Sequence, residues 1–138
     1  MAEEACYRAV ENVRWGNLGR ELESQRLYNL GRIKRKLGKF QESEAILKRS
    51  LQLESSLSSE LNKEIGRRLV ELSMALGEQG KWIEGARYLS RSLPVAEQYD
   101  SAEKQTVIAV YLIFSKEIET QNAALAKTLR DKVRLLKK

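Results

Sequence analysis

Side chains that could act as a nucleophile or as a metal ligand are scarce in this sequence. Among its 138 residues there is one cysteine, Cys6, and no histidine. A thiol nucleophile needs a neighbouring base, and the usual catalytic triads and histidine-containing zinc sites need an imidazole. We interpret Cys6, in the segment Glu4-Ala5-Cys6-Tyr7, as a small buried apolar residue. The sequence therefore predicts a protein with no catalytic activity, no metal and no cofactor.

Phosphate-binding loops and membrane-spanning segments are not indicated either. The segment Gly16-Asn17-Leu18-Gly19 lacks the further glycine, Lys and Ser/Thr of a phosphate loop, so we interpret it as a connection between helices. No apolar run approaches the length of a membrane-spanning helix, and Met1-Ala2-Glu3-Glu4 is acidic where a secretory signal is basic. A single cysteine allows no internal disulfide, which fits a reducing compartment. We expect a soluble protein of the cytoplasm.

The composition favours one compact, all-helical domain. Ala, Leu, Glu, Lys, Arg and Gln dominate the sequence, and these residues are strong helix formers. A single proline, Pro94, and the lack of strand-like alternation leave little room for a sheet. We therefore predict an all-α fold for residues 1–138.

A pattern of large, small and turn residues occurs twice, about 42 residues apart, which is within the range of helical repeats. Gly31 and Ser50 are small where two antiparallel helices would cross, and Gly38 and Gly80 suit the left-handed conformation that ends a helix. Such a unit buries its apolar face only by stacking on another copy, so the pattern predicts an array of helical hairpins. The first copy contains Leu27, Leu30, Gly31, Gly38, Phe40, Ser43, Leu47 and Ser50, and the second contains Leu69, Leu72, Ser73, Leu76, Gly80, Trp82, Gly85, Leu89 and Ser92.

These residues resemble the pattern of the tetratricopeptide repeat (TPR) family. The period exceeds the family's usual value of roughly 34 residues by about two helical turns, so the pattern resembles the long-period variety seen in kinesin light chains. The resemblance implies an antiparallel helix-hairpin array, a right-handed solenoid of about seven helices. A degenerate third unit would contain Tyr111, Phe114, Ser115 and Ile118, with Asn122 and Ala124 in place of the turn glycine and the aromatic.

Turn signals divide this single domain into four segments. Ser58 and Ser59 are expected to cap a helix that begins near Glu60. Pro94 should kink or end the second helix of repeat 2, and Asp100 or Ser101 should cap the helix that follows. The segments are an N-terminal helix and loop (1–22, with the helix at about 2–13 and the loop at 15–21), repeat 1 (23–57), repeat 2 (60–98), and a degenerate repeat 3 with a basic C-terminal helix (102–138).

In the TPR family, ligands usually lie in a concave groove lined by the first helix of each unit, and the resemblance transfers this role to matching positions. An aromatic residue, an amide and three cations beside an apolar patch would suit a peptide with an acidic part and a hydrophobic anchor. Alternatively, the cations form a solvated helix face and the apolar residues are core between units. The implied groove residues are Gln25, Tyr28, Asn29, Arg32, Arg35, Lys36, Arg67, Val70, Glu71, Met74 and Lys116, with Leu112 and Ile113 in the apolar patch.

The family's carboxylate clamp, which grips the C-terminal acid of chaperone tails, is only partly matched. Asn29 and Arg67 fit it, but Glu71 lies where a second cation is needed. A carboxylate at that point would repel the ligand, so we expect no binding of chaperone tails.

The formal net charge of +6 permits other classes of partner. Basic residues cluster at about 34–49 and 127–138, and a basic helical array could bind nucleic acid through its phosphates. Interleaved acids and the lack of an aromatic platform disfavour that interpretation. A homodimer through the unpaired end face near Ala5, Ala9 and Val13 is a further alternative. The main prediction is a non-catalytic protein-binding module that acts as a scaffold or adaptor.

Overall fold

The computed structural model describes residues 16–58 and 60–137, and this part of the chain is helical, without strands. The predicted all-α fold is therefore confirmed for it. The predicted N-terminal helix, Cys6 and the end face near Ala5, Ala9 and Val13 lie outside the described residues. The helices are α1 (Gly16–Lys36), α2 (Phe40–Leu57), α3 (Lys63–Glu78), α4 (Trp82–Arg91), α5 (Leu93–Ala96), α6 (Ser101–Ile118) and α7 (Ala123–Leu136).

The helices pack mainly against their neighbours in the chain. α1 packs along α2, α3 along α4, and α6 along α7, which gives three helix hairpins. Contacts between α2 and α3 and between α4 and α6 join one hairpin to the next. The first helices also touch in sequence, α1 with α3 and α3 with α6. Each hairpin therefore contacts the following one in chain order.

Two clusters of buried apolar side chains hold the hairpins together, and their removal from water is the main stabilising contribution. Trp82 and Phe114 meet edge to face in the second cluster, with ring centroids 5.0 Å apart and 80° between the ring planes. The first cluster comprises Tyr28, Leu47, Leu51, Ile65, Leu69, Leu72, Ala75 and Leu76. The second extends from α3 and α4 to α7 and includes Val70, Leu89, Tyr99, Tyr111, Phe114, Ile118, Leu129 and Val133.

The small residues of the repeated pattern have the predicted roles. Gly38 and Gly80 have φ values of 79° and 80°, the left-handed conformation expected after a helix. A Cβ atom on Gly31 would lie 2.6 Å from side-chain carbons of Leu47, so only glycine permits this close approach of α1 to α2. Ser50 is fully buried at the same interface, where its hydroxyl donates to the Ser24 carbonyl at 2.7 Å.

Two predicted boundaries were wrong. The segment 15–21 was expected to be a loop, but α1 begins at Gly16. Gly19 is buried within this helix, so packing overrides the low helix propensity of glycine. The third long helix begins at Lys63 rather than near Glu60, since the Asn62 side chain caps it by accepting from the Ile65 N–H at 2.9 Å.

The later boundaries agree with the sequence. The helix that contains Pro94 is interrupted, with α4 ending at Arg91 and the one-turn α5 beginning at Leu93. Asp100 caps α6 as expected, because its side chain accepts from the Glu103 N–H at 2.8 Å. In the part of the chain that the structure describes, no helix is both long and apolar enough to cross a membrane.

Glu44 links the first hairpin to the turn of the second. Its carboxylate accepts hydrogen bonds from Lys48 at 2.8 Å, from Gln79 at 2.9 Å and from Lys81 at 3.1 Å. Burial opposes ionisation of this carboxyl, but the three hydrogen bonds outweigh it and lower the pKa of Glu44 from 4.5 to about 2. The folded state therefore holds the charged form more tightly than the unfolded chain does.

Because the pKa of Glu44 is depressed on folding, its contribution to stability is complete above pH 4.5 and is lost as the pH falls towards about 2. Glu44→Gln should remove this contribution, about 1 kcal/mol at neutral pH since its lysine partners are partly exposed. Urea unfolding at several pH values, with exposed Glu97→Gln as the control, measures it. An unchanged acid dependence in Glu44→Gln would contradict the assignment.

Candidate functional site

The first helices of the three hairpins border an open cavity of about 460 Å³. It lies where the turns near the start of α3 and α6 face the middle of α1, so three separate stretches of sequence must come together to form it. Tyr99, in the turn before α6, completes the wall. The other lining residues are Gln25, Tyr28 and Arg32 from α1, Glu64, Arg67, Val70 and Glu71 from α3, and Glu103, Thr106 and Val107 from α6.

Several predicted groove residues meet in this cavity, namely Gln25, Tyr28, Arg32, Arg67, Val70 and Glu71. Arg35 lies just behind them, since its Nε donates to the Glu71 carboxylate at 3.1 Å. Asn29 is joined to this group through its side-chain oxygen, which accepts from Gln25 at 3.4 Å.

Other predicted groove residues are not brought to the cavity. Met74 packs partly buried against the second apolar cluster, as the alternative core interpretation held, and Lys36 and Lys116 are exposed without lining the cavity. Leu112 and Ile113 are exposed on α6, at 43% and 53% of their surface, so they are not core between units. Val70 fits both the core interpretation and the groove interpretation, because its side chain is only 8% exposed and it also lines the cavity.

Sequence reasoning missed the third side of the cavity, which consists of Tyr99, Glu103, Thr106 and Val107. It also missed Glu64, which lines the cavity from α3. A recurring ion-pair offset could have indicated it. Arg35 bonds to Glu71 and Arg67 bonds to Glu103, each time 36 residues further along the chain. These two pairs join each first helix to the next, at a spacing that the repeat period itself does not reveal.

Arg68 lies at the centre of a buried polar network behind the cavity. Its side chain is fully buried, and its Nε donates to the hydroxyls of Ser50 at 2.8 Å and Ser24 at 3.1 Å. One Nη donates to both the backbone oxygen (2.8 Å) and the carboxylate (3.1 Å) of Glu64, and the other lies 3.4 Å from a carboxylate oxygen of Glu54. A buried guanidinium is tolerated because all these acceptors satisfy it.

Three further arginines, Arg67, Arg35 and Arg32, are paired with carboxylates of the cavity wall. Arg67 makes a bidentate pair with Glu103 at 3.1 and 3.0 Å and a third contact with Glu64. Glu71 lies between two arginines, hydrogen-bonded to Arg35 at 3.1 Å and 3.5 Å from Arg32. The Arg32 Nε is buried and makes no hydrogen bond to another described residue. Arg32 is therefore the less fully satisfied partner of Glu71.

Guanidinium groups cover the two tyrosine rings of the cavity. Arg68 lies 4.8 Å and Arg32 5.5 Å from the ring centroid of Tyr28, and Arg67 lies 5.8 Å from that of Tyr99. Burial raises the pKa of both phenols, that of Tyr99 to about 12, although the nearby arginines act in the opposite direction. Both side chains therefore stay neutral at physiological pH and present polarisable, uncharged surfaces.

The arrangement is suited to binding by charge and shape. Its charged groups are arginines and glutamates held in mutual hydrogen bonds or, for Arg32, in an ion pair, and these contacts fix their positions. Among the described residues, no three His, Cys, Asp or Glu side chains are grouped so that they could hold a metal ion.

No protein-family model matches the chain, and no curated protein matches it in sequence. The likeness to the TPR family therefore rests on the residues named above.

We expect Arg68→Met to destabilise the fold by about 3 kcal/mol, because two carboxylates and two serine hydroxyls lose the donor that satisfies them. Exposed Arg87→Met on α4 is the matched control and should change stability by less than about 0.5 kcal/mol. Urea unfolding followed by circular dichroism measures both. Equal stability of Arg68→Met and the native chain would mean that the buried network does not hold α1, α2 and α3 together.

Proposed function

We propose that this chain is a protein-binding module of TPR-like construction, in which successive hairpins form a right-handed solenoid and a partner peptide lies along the first helices. The observation that carries the proposal is the cavity shared by α1, α3 and α6. A ligand there would contact every hairpin at once. Such a surface gives specificity from several helices, which is how helical arrays commonly recognise extended segments.

The composition of the cavity supports a binding role. It combines two tyrosines, two arginines and small apolar side chains from Val70 and Val107. Tyrosine and arginine are enriched among the residues that dominate binding energy at protein interfaces, because they bring large contact areas and directional polar groups. The cavity volume of about 460 Å³ suits one or two side chains of a docked segment rather than a whole domain.

The order of packing supports the solenoid part of the proposal. Hairpins touch their neighbours in chain order, and the repeated Arg-to-Glu pairs join α1 to α3 and α3 to α6. A non-catalytic scaffold or adaptor role in the cytoplasm follows from the same proposal. Binding of nucleic acid is another candidate function, because α7 presents exposed cations such as Lys127 and Arg134.

Thr106→Trp tests the proposal, because an indole at this exposed cavity position would fill the space without breaking an ion pair. Thr128→Trp is a closely matched control on α7. Both threonines are exposed, and the hydroxyl of each donates to the carbonyl four residues earlier, at 3.2 Å for Thr106 and 3.0 Å for Thr128.

The measurement is capture of proteins from nuclease-treated lysate by immobilised native chain and by each variant, followed by binding of the purified candidate. We expect Thr106→Trp to lose the partner, with affinity reduced at least about tenfold, and Thr128→Trp to retain it. Equal retention by both folded variants would rule out the cavity. Binding only in lysate that has not been treated with nuclease would favour the nucleic-acid function instead.

A further inference from the structure

The charges around the cavity are unevenly distributed along its length. At one end, near the first turns of α3 and α6, Glu64, Glu103 and Arg67 line the cavity, and the ion pair of Glu54 with the buried Arg68 lies behind them. Three negative groups there meet two positive ones. We call this the acidic end.

The opposite end has the reverse balance. Arg32 and Arg35 share the single carboxylate of Glu71. Two positive groups there meet one negative group, and we call this the basic end. When Glu54, Arg68 and Arg35 behind the cavity wall are counted with the lining residues, the two ends together are neutral, so opposite charges are separated along the cavity.

The acidic end retains capacity to accept hydrogen bonds. Each oxygen of Glu103 accepts once from Arg67, and the two oxygens of Glu64 contact Arg67 and Arg68. A carboxylate has about four acceptor positions, so roughly half remain on each. The side chains of Glu64 and Glu103 are 44% and 38% exposed, which leaves those positions open to a ligand.

The basic end retains capacity to donate. The Arg32 side chain is 42% exposed, and Glu71 makes its hydrogen bond to Arg35 rather than to Arg32. A ligand carboxylate could therefore pair with Arg32 while Glu71 keeps Arg35. Arg67, by contrast, is already held by two glutamates and offers no comparable site for an anion.

We propose, on the basis of the binding function above, that the cavity takes a peptide segment carrying one cationic and one anionic side chain, with the cation at Glu64 and Glu103 and the anion at Arg32. The distance between the acidic end and the basic end can be measured along α3. Glu71, at the basic end, lies one to two helical turns beyond Arg67 and Glu64 at the acidic end, a rise of roughly 6 to 10 Å. An extended peptide covers that distance in two or three residues. The glutamates of the acidic end would repel a purely acidic ligand, so this proposal adds a cationic side chain to the expected peptide with an acidic part.

The test uses the full chain, labelled, on an array of blocked nine-residue peptides. The same uncharged background sequences carry Lys and Glu two or three residues apart, Lys and Gln, Gln and Glu, or Gln and Gln. We expect the Lys and Glu set to bind about fivefold to tenfold more strongly than either singly charged set.

Variants assign the two ends. Arg32→Gln should remove the preference for Glu and keep that for Lys, whereas Glu103→Gln should remove the preference for Lys and keep that for Glu. Exposed Arg26→Gln and Glu97→Gln make the same chemical changes outside the cavity and should leave the pattern unchanged. Glu64→Gln gives a second acidic-end variant if Glu103→Gln is poorly folded by circular dichroism.

The outcomes separate this inference from the proposed function. If peptides bind but the four sets are equal, or if Arg32→Gln and the acidic-end variants leave the preferences unchanged, the dipolar specificity is wrong and the binding module stands. If the Gln and Glu set binds best, the acidic end does not contribute to binding, and the dipolar specificity is wrong. If no peptide of any set binds, the proposed function fails together with this inference.

Discussion

The buried guanidinium of Arg68 is the constraint on which the rest of this architecture depends. Removing such a charge from water costs several kcal/mol, and only a full set of acceptors at fixed positions offsets that cost. Those acceptors come from α1 through Ser24, from α2 through Ser50 and Glu54, and from α3 through Glu64. The three helices must therefore meet in one arrangement for Arg68 to be buried at all. Apolar packing alone would tolerate several such arrangements.

The cavity is a consequence of that arrangement. Arg68 lies under the ring of Tyr28 and shares Glu64 with Arg67, so the buried network and the cavity wall have side chains in common. Arg67 then joins α3 to α6 through Glu103, and Arg35 joins α1 to α3 through Glu71. Ion pairs of this kind contribute little to stability when exposed. Their larger effect here is positional, since they fix the positions of the charged groups around the cavity.

Much of the fold was accessible from the sequence, because local signals and tertiary packing agree there. Gly38 and Gly80 have the left-handed conformation that their position after a helix predicts, and Pro94 interrupts its helix. Where packing overrides local propensity, prediction failed: Gly16 begins a helix that was expected to start near residue 23. Asn62 caps α3 although two serines nearby were preferred for that role.

Only part of the cavity wall could be predicted from the sequence. The family-like positions of α1 and α3 identified Tyr28, Arg32 and Arg67, because the repeated pattern is clear in those helices. On α6 the predicted residue was Lys116, whereas Glu103 and Thr106 line the cavity, since the degenerate third unit gives no sharp register. Charge balance could not be predicted either. Which arginine pairs with which glutamate depends on how the helices cross, and the 36-residue offset of the two pairs differs from the period of about 42 residues on which the prediction rested.

A direct measurement of the central claim is a methyl NMR titration of the chain with a bound peptide. We predict that the largest shift changes fall on Val70, Thr106 and Val107 in the cavity, while Val133 and Leu135 on α7 change little. Shifts concentrated on α7, with the cavity methyl groups unaffected, would contradict the account and place the binding surface elsewhere on the molecule.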